Sequence, residues 1–389
     1  MSAKILVVDD EPDLQHLINQ KFRQQIRQKM FEFVFAQNGI QALDQLQKNA
    51  DINLVLTDIN MPEMDGLTLL GKLKEMDNPL LRAVIISAYG DMYNIRTAMN
   101  RGAFDFVIKP IDLVDLEITI NKSLTDLETL KLALRSKEVL LKLQQELDIA
   151  NTIQTSILPR NFPENNGKKI FDIWAKMIPA KQVGGDFYDF FMIDKHRLGF
   201  IIGDVSGKGI PAALLMAVTK TLLKATAISG ASTDACLAKV NNILVSDSLP
   251  NMFVTVFYAI LDTRNGALEY CSGGHNPAFV ISRDGHLTQL KDTKGLLLGF
   301  VPNVEYDSEF VMLQPGDTIF LYTDGVTEAM NEEENQFEEQ RLVTTLGQNH
   351  TASVAELLDK VIQDVNHFTN GVQQSDDITC VGVRYLATQ

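Results

Sequence analysis

The chain has 389 residues and a formal net charge of −15, from 50 Asp+Glu against 35 Lys+Arg. Its 45% hydrophobic and 22% charged residues exclude a disordered polymer, and at about 150 residues per domain the length points to two or three domains. The acidic balance argues against tracking nucleic-acid phosphates or anionic lipid, so no nucleic acid and no membrane is expected as a partner.

Residues 4–8 form a continuous apolar run, the pattern of a strand buried on both faces of a parallel sheet. The chain turns acidic directly after this run, so no signal peptide is expected. Helical spacing over 12–26, 40–47, 67–76 and 93–101 alternates with strand patterns over 31–36, 54–57, 83–87 and 104–108, and a further helix starts at Leu113. This alternation predicts a doubly wound parallel (βα)5 domain over residues 1–120. The site of such a sheet lies at the carboxyl ends of its strands. There the sequence places Asp9 and Asp10, Asp58, Ser87, and Lys109 before Pro110. Converging carboxylates repel each other unless a divalent cation neutralises them, and oxygen-only donors suggest Mg²⁺. A lysine and a small hydroxyl beside them suit a phosphoryl group.

This stretch resembles the response-regulator receiver domain. The resemblance rests on Val8-Asp9-Asp10-Glu11, Thr57-Asp58, Met61-Pro62-Glu63-Met64-Asp65-Gly66, Ser87-Ala88 and Lys109-Pro110. It implies that Asp58 accepts a phosphoryl group from a sensor histidine kinase, as a covalent aspartyl phosphate. Asp9, Asp10, Asp58 and the Asn60 carbonyl would hold Mg²⁺. Ser87 and Lys109 would contact the phosphoryl oxygens, and Phe106 stands at the family's aromatic switch position.

From Leu113 to Ile157 the chain lacks glycine and proline and is rich in Leu, Lys, Glu and Gln, which predicts one long helix ended by Pro159. Apolar positions 113, 116, 120, 127, 130, 134 and 141 follow a three-four spacing that Ser123 and Lys137 interrupt. A second seam, offset by one residue, runs through 140, 143, 147, 150 and 157. Such a repeat reads as a coiled-coil linker over 121–158 that joins two copies of the chain, with the register break as a two-state element. The alternative is a helix packed on its own domain.

Beyond Pro159 strand patterns dominate: 187–193, 198–204, 254–261, 268–272, 278–282, 310–312, 318–322 and 378–385. Helical patterns cover 210–228, 233–245, 336–346 and 354–368. A β-sandwich flanked by helices is expected over 159–389. Carboxylates again sit at strand ends: Asp186 after Val183-Gly-Gly, Asp204 in Gly203-Asp-Val-Ser-Gly-Lys-Gly209, Asp324 in Thr323-Asp-Gly, and the pair Asp376-Asp377. Hard carboxylates without a His or Cys partner suit Mg²⁺ or Mn²⁺. The six histidines form no ligand pair. The longest clean apolar stretch, 211–218, is far below the ~20 residues that span a bilayer. Cys236, Cys271 and Cys380 form no CxxC, so neither a disulfide framework nor a zinc site is expected, and a cytoplasmic location fits.

With Gly273-Gly-His-Asn-Pro277, these blocks resemble the metal-dependent protein phosphatases (PPM family), in the branch of the SpoIIE and RsbU kind. The resemblance implies an α-β-β-α sandwich and a phosphoserine/phosphothreonine hydrolase with two Mn²⁺ or Mg²⁺ ions. Asp204 would bridge both ions, the Val205 carbonyl would join one, and Asp324 and Asp376 would ligate the other. Asp186 would hold metal-bound water. Which of Asp376 and Asp377 ligates stays open. His275 is a candidate general acid or a support for its loop, and Lys181 and Lys208 are phosphate contacts or surface lysines. The expected function is a response regulator whose output is dephosphorylation of a phosphoprotein, with a STAS-type anti-sigma-factor antagonist as the substrate class. The alternative is a non-catalytic receiver-controlled adaptor that binds a sigma or anti-sigma partner.

Overall fold

The computed structural model describes residues 2–88, 91–159, 170–247, 252–293 and 295–386. The chain divides into two compact units, Met1–Leu143 and Gln144–Gln389.

The first unit runs β1 (Ala3–Val8), α1 (Pro12–Lys21), α2 (Arg23–Arg27), β2 (Phe31–Ala36), α3 (Gly39–Lys48), β3 (Ile52–Asp58), α4 (Gly66–Glu75), β4 (Arg82–Ala88), α5 (Met92–Asn100) and β5 (Asp105–Lys109). Its parallel sheet has the order β2-β1-β3-β4-β5, so the direction of winding reverses between β1 and β3. In a doubly wound sheet that reversal opens the ligand crevice. One expectation changes: the helix over 12–26 is two helices, broken at Phe22 (φ −94°, ψ 17°). The Phe22 ring is fully buried and packs on Phe31 and Phe33 at centroid distances of 5.7 and 5.4 Å. Anchoring that ring against β2 overrides the helical period.

Helix α6 (Leu113–Ile157) is 45 residues long, with the predicted ends. Its start does not follow the coiled-coil reading. Leu116, Ile120 and Leu127 are buried, the first two within the first unit's core of Ile5, Val7 and Val107. Lys21–Glu117 and Arg82–Asp126 ion pairs, both 2.9 Å, fasten the same turns. Own-domain packing therefore explains the seam through residue 127. Past it, Leu132, Val139, Leu140, Leu141 and Leu143 are exposed.

The second unit adds β6 (Phe171–Ile178), β7 (Phe187–Met192), β8 (Arg197–Val205), α7 (Ile210–Ile228), α8 (Thr233–Asp247), β9 (Val254–Asp262), β10 (Ala267–Gly273), β11 (Phe279–Ile281), β12 (Leu287–Gln289), β13 (Glu309–Met312), β14 (Thr318–Tyr322), α9 (Asp324–Thr327), α10 (Glu338–Gln348), α11 (Val354–Thr369) and β15 (Ile378–Tyr385). Two antiparallel sheets form, β13-β10-β9-β8-β7 and β12-β11-β14-β15-β6. Strand alternation assigns their faces. Ile319 and Leu321 of β14, with Val381 and Val383 of β15, meet Phe200, Ile202, Val256 and Tyr258 between the sheets. The intervening Phe320, Tyr322 and Cys380 point the other way, onto Leu342 of α10 and Leu357, Leu358 and Val361 of α11. Met216 and Leu223 of α7 and Leu237 of α8 pack with the first sheet. The result is the expected α-β-β-α sandwich. By length and composition α7 is apolar enough to cross a bilayer, but Met216, Lys220 and Leu223 of its sheet-facing side are buried here.

Candidate functional site

At the crevice of the first unit, β1 and β3 bring Asp9, Asp10 and Asp58 together, with one oxygen from each within 4.8 Å of the others. The Lys109 ammonium lies 2.8 Å from Asp58 Oδ2 and 3.1 Å from Asp9 Oδ2. Partial burial disfavours this ammonium, but the hydrogen bond and charge of Asp58, then of Asp9, outweigh it and hold its pKa above the ordinary lysine value. Burial also raises the Asp9 carboxyl, against a hydrogen bond from the Glu11 N–H. The Ile59 N–H donates to Asp58 Oδ1 at 2.7 Å. A Cβ at Gly66 would meet the Asp58 carbonyl at 2.1 Å, so glycine lets α4 start against the acceptor strand. Ser87 is 1% exposed and its Oγ has no partner among the described residues. A phosphoryl oxygen on Asp58 would satisfy it. Asn60 is exposed two residues after Asp58, and Phe106 is half-buried on β5. Three acidic oxygens, a lysine and an orphaned hydroxyl fit both Mg²⁺ and a phosphoryl group.

In the second unit the four strand-end blocks meet at one edge of the sandwich. Asp186 precedes β7 and is 1% exposed; its Oδ2 accepts hydrogen bonds from Thr323 Oγ1 (2.7 Å) and Thr379 Oγ1 (2.6 Å). Burial, then the charge of Asp204, pushes its carboxyl well up. Burial, then the charge of Asp324, pushes Asp204 up to about 7. Asp324 rises too, through burial and then Glu328 and Asp376. Carboxylates that raise one another in this way are stabilised by a cation, and an all-oxygen donor set fits Mn²⁺ or Mg²⁺. Among the described residues, only the Asp9 group brings three such oxygens within 4.8 Å, so these carboxylates are the more widely spaced set. A Cβ at Gly185 would lie 2.7 Å from the Val205 carbonyl, so glycine lets the turn rest on that oxygen.

The adjacent pair Asp376-Asp377 splits by environment. Asp377 is buried and accepts from the N–H groups of Ala180 (2.8 Å) and Gly185 (2.7 Å), which ties the turn before Asp186 to β15. Asp376 is half-buried, 2.9 Å from the Lys208 ammonium. Lys208 thus meets a carboxylate, and Lys181 is exposed. His275 is held at both ring nitrogens, Nδ1 by Thr255 Oγ1 (2.9 Å) and Nε2 by the Tyr322 carbonyl (3.1 Å). Burial lowers it to about 4. A neutral imidazole so engaged supports its loop: Nε2–H donates to the Tyr322 carbonyl and Nδ1 accepts from the Thr255 hydroxyl.

The His275 pKa carries a stability consequence. Its folded value lies below the ordinary 6.5, so the neutral ring contributes stability that is complete above about pH 6.5 and is lost as pH falls toward 4. Between pH 7 and 5 this loss is about 2 kcal/mol. Asp204, raised to about 7, moves stability the opposite way over the same range, so the test is the difference between the chain and His275→Gln. Urea unfolding should show this difference shifting by about 2 kcal/mol between pH 7 and 5, and a difference independent of pH would refute the assignment.

Sequence reasoning passed over three contacts. The Thr323 and Thr379 hydroxyls that orient Asp186 sit next to, and two positions from, predicted acidic residues. Asp189 of β7 is fully buried in an ion pair with Lys220 of α7 at 2.6 Å. Gln154 of α6 is buried against Gly184.

The Response regulator receiver domain profile matches residues 5–121, and that of Stage II sporulation protein E (SpoIIE) matches 194–386. Phosphoserine phosphatase RsbU of Bacillus subtilis is 33% identical over 243 residues, which cover 62% of this chain and 71% of RsbU. Protein IcfG of Synechocystis is 32% identical over 265 residues, 61% of this chain and 41% of IcfG. The chain therefore spans less than half the length of that relative. The solved SiaA-PP2C domain of Pseudomonas aeruginosa shares the fold, with a TM-score of 0.56 at 23% identity over 64% of this chain and 98% of that domain. These matches define a receiver domain followed by a PPM-type phosphatase domain. The chain belongs to the SpoIIE-type PPM serine/threonine protein phosphatases and carries a receiver domain ahead of the catalytic one.

Proposed function

We propose that this chain hydrolyses a phosphoserine or phosphothreonine protein under the control of phosphorylation at Asp58, and that it does so in the cytoplasm. The observation that carries the reading is the set of raised carboxylates at Asp186, Asp204 and Asp324, a charge arrangement that calls for metal. Asp204, the Val205 carbonyl, Asp324 and Asp376 would hold the two ions. When bound, two Mn²⁺ or Mg²⁺ ions supply an activated water and clamp the phosphoryl oxygens for in-line attack. Asp186, oriented by the Thr323 and Thr379 hydroxyls, would hold metal-bound water. Asp377 shapes the turn and is not a ligand in this reading. RsbU is a phosphoserine phosphatase by name, which supports a phosphoserine protein as the substrate, and we propose a STAS-type anti-sigma antagonist as its class. Assay of the purified chain against such proteins, in Mn²⁺, tests this: release of phosphate supports it, and inactivity on every phosphoserine protein and on an aryl phosphate would refute it.

In the first unit, a carboxylate oxygen of Asp58 would attack the phosphorus of a kinase phosphohistidine as the P–N bond breaks and the imidazole takes up a proton. Mg²⁺ held by Asp9, Asp10, Asp58 and the Asn60 carbonyl would offset the charge. Lys109 and Ser87 would receive the phosphoryl oxygens, and Phe106 would report the change. We read 1–120 as receiver, 121–158 as linker and 159–389 as catalytic domain. A homodimer through the exposed part of α6 completes the reading. Light scattering at micromolar concentration should give a dimer, and Leu140→Glu with Leu143→Glu should give a monomer, because charges in an apolar seam oppose pairing. A wild-type monomer would remove the dimer from the account.

A further inference from the structure

The turn that carries Asp186 is gripped from two sides. On one side Asp377, directly before β15, receives the N–H groups of Ala180 and Gly185. On the other side stands the last part of α6. Gln154 Nε2 donates to the Gly184 carbonyl at 2.7 Å, and the Gly184 N–H donates to Gln154 Oε1 at 3.1 Å. One side-chain amide thus closes a ring with both polar groups of one residue. Gln154 is 5% exposed, so these bonds are shielded from water. A Cβ at position 184 would lie 2.2 Å from Asp377 Oδ2, which places Gly184 directly between the two grips. The same face of α6 adds Asn151, whose Nδ2 donates to the Gln182 carbonyl, and Leu158, just past the helix end, is buried in the sandwich core. A spacing of three residues puts 151 and 154 on one stripe.

We propose that Gln154 is a positioning residue for the metal-binding turn, and the point at which the catalytic domain reads the rotation of α6. This rests on the reading given above. A buried amide pair is directional: it holds Gly184, and through two peptide units Asp186, only at one rotation of the helix. Turning the helix by about 30° sweeps a side-chain tip some 6 Å from its axis through about 3 Å, which breaks both bonds. A glutamine serves here because the contact needs a donor and an acceptor on one planar group. Asp377 would keep the turn attached to the sheet in either state, so that loosening is local.

The test uses the full chain, with and without beryllofluoride in Mg²⁺. Hydrogen exchange of residues 180–188 is read by mass spectrometry, and the Mn²⁺ concentration for half-maximal turnover of an aryl phosphate is read in parallel. In the wild type, beryllofluoride should change protection of this segment. In Gln154→Met, which keeps the length and loses both bonds, protection should be low in both states, and half-maximal turnover should need about tenfold more Mn²⁺ with KM unchanged. Asn151→Ala, at the more exposed edge, should shift the Mn²⁺ requirement the same way by about threefold, and serves if Gln154→Met misfolds. Wild-type protection and response in both variants would overturn the proposal. A wild type whose turnover responds to beryllofluoride while segment 180–188 does not would overturn it alone. A wild type with no turnover response would overturn the parent reading as well.

Discussion

Asp204→Asn should lower Mn²⁺-dependent turnover of a phosphoserine protein or an aryl phosphate by at least about 10³-fold, while the metal-free chain becomes no less stable. The two halves of this expectation come from one cause. Asp204 is pushed up to about 7 by burial and by the charge of Asp324. A raised carboxyl contributes stability that is complete below its ordinary value of 3.8 and is lost as pH rises through about 7. At pH 8 the metal-free carboxylate is therefore a cost that the neutral amide removes. The same amide is a poor ligand for a hard cation, so activity falls where stability does not. Asp324→Asn should follow the same pattern. Thermal unfolding and initial rates at pH 8 separate the effects, and turnover close to wild type in Asp204→Asn would sink the two-metal assignment.

Asp58→Ala should abolish incorporation of phosphate from a small acyl phosphate, with no residual labelled species. Asp9, Asp10 and Lys109 surround Asp58, yet none can take over. Asp9 is engaged by Lys109 and the Glu11 N–H, and Asp10 lies exposed at the rim of the crevice. Lys109→Ala should leave the acceptor in place but strip its main counter-charge. Labelling would then fall, and the two remaining buried carboxylates would repel each other. Acid-stable label, or label undiminished in Asp58→Ala, would show that another residue accepts the phosphoryl group.

The receiver was the most legible part of the chain, because five buried strands in a parallel sheet read as short apolar runs with functional residues at their ends. What failed there was Phe22, whose helix-breaking role comes from a ring partner on β2 and leaves no local signal. The α6 seam was legible as a repeat but not as to its partner: Leu116, Ile120 and Leu127 look the same whether they face a second chain or their own domain. In the second unit β6 was missed although Phe171, Ile173 and Ala175 alternate in plain view, because an edge strand next to polar residues has few neighbours in sequence to announce it. The acidic residues stood out through adjacent glycines. Thr323, Thr379 and Gln154 did not, since a hydroxyl or amide acquires its role only when a strand or helix from elsewhere brings it to a carboxylate or a peptide group.

The central claim is that the state of Asp58 sets the rate of hydrolysis at the Asp204 site. The most direct test is the steady-state rate of phosphate release by the full chain in Mn²⁺, measured with and without beryllofluoride, for wild type and Asp58→Ala. The account predicts a rate that changes with beryllofluoride in the wild type and stays constant in Asp58→Ala. Equal rates with and without beryllofluoride in the wild type, at full receiver occupancy, would contradict it.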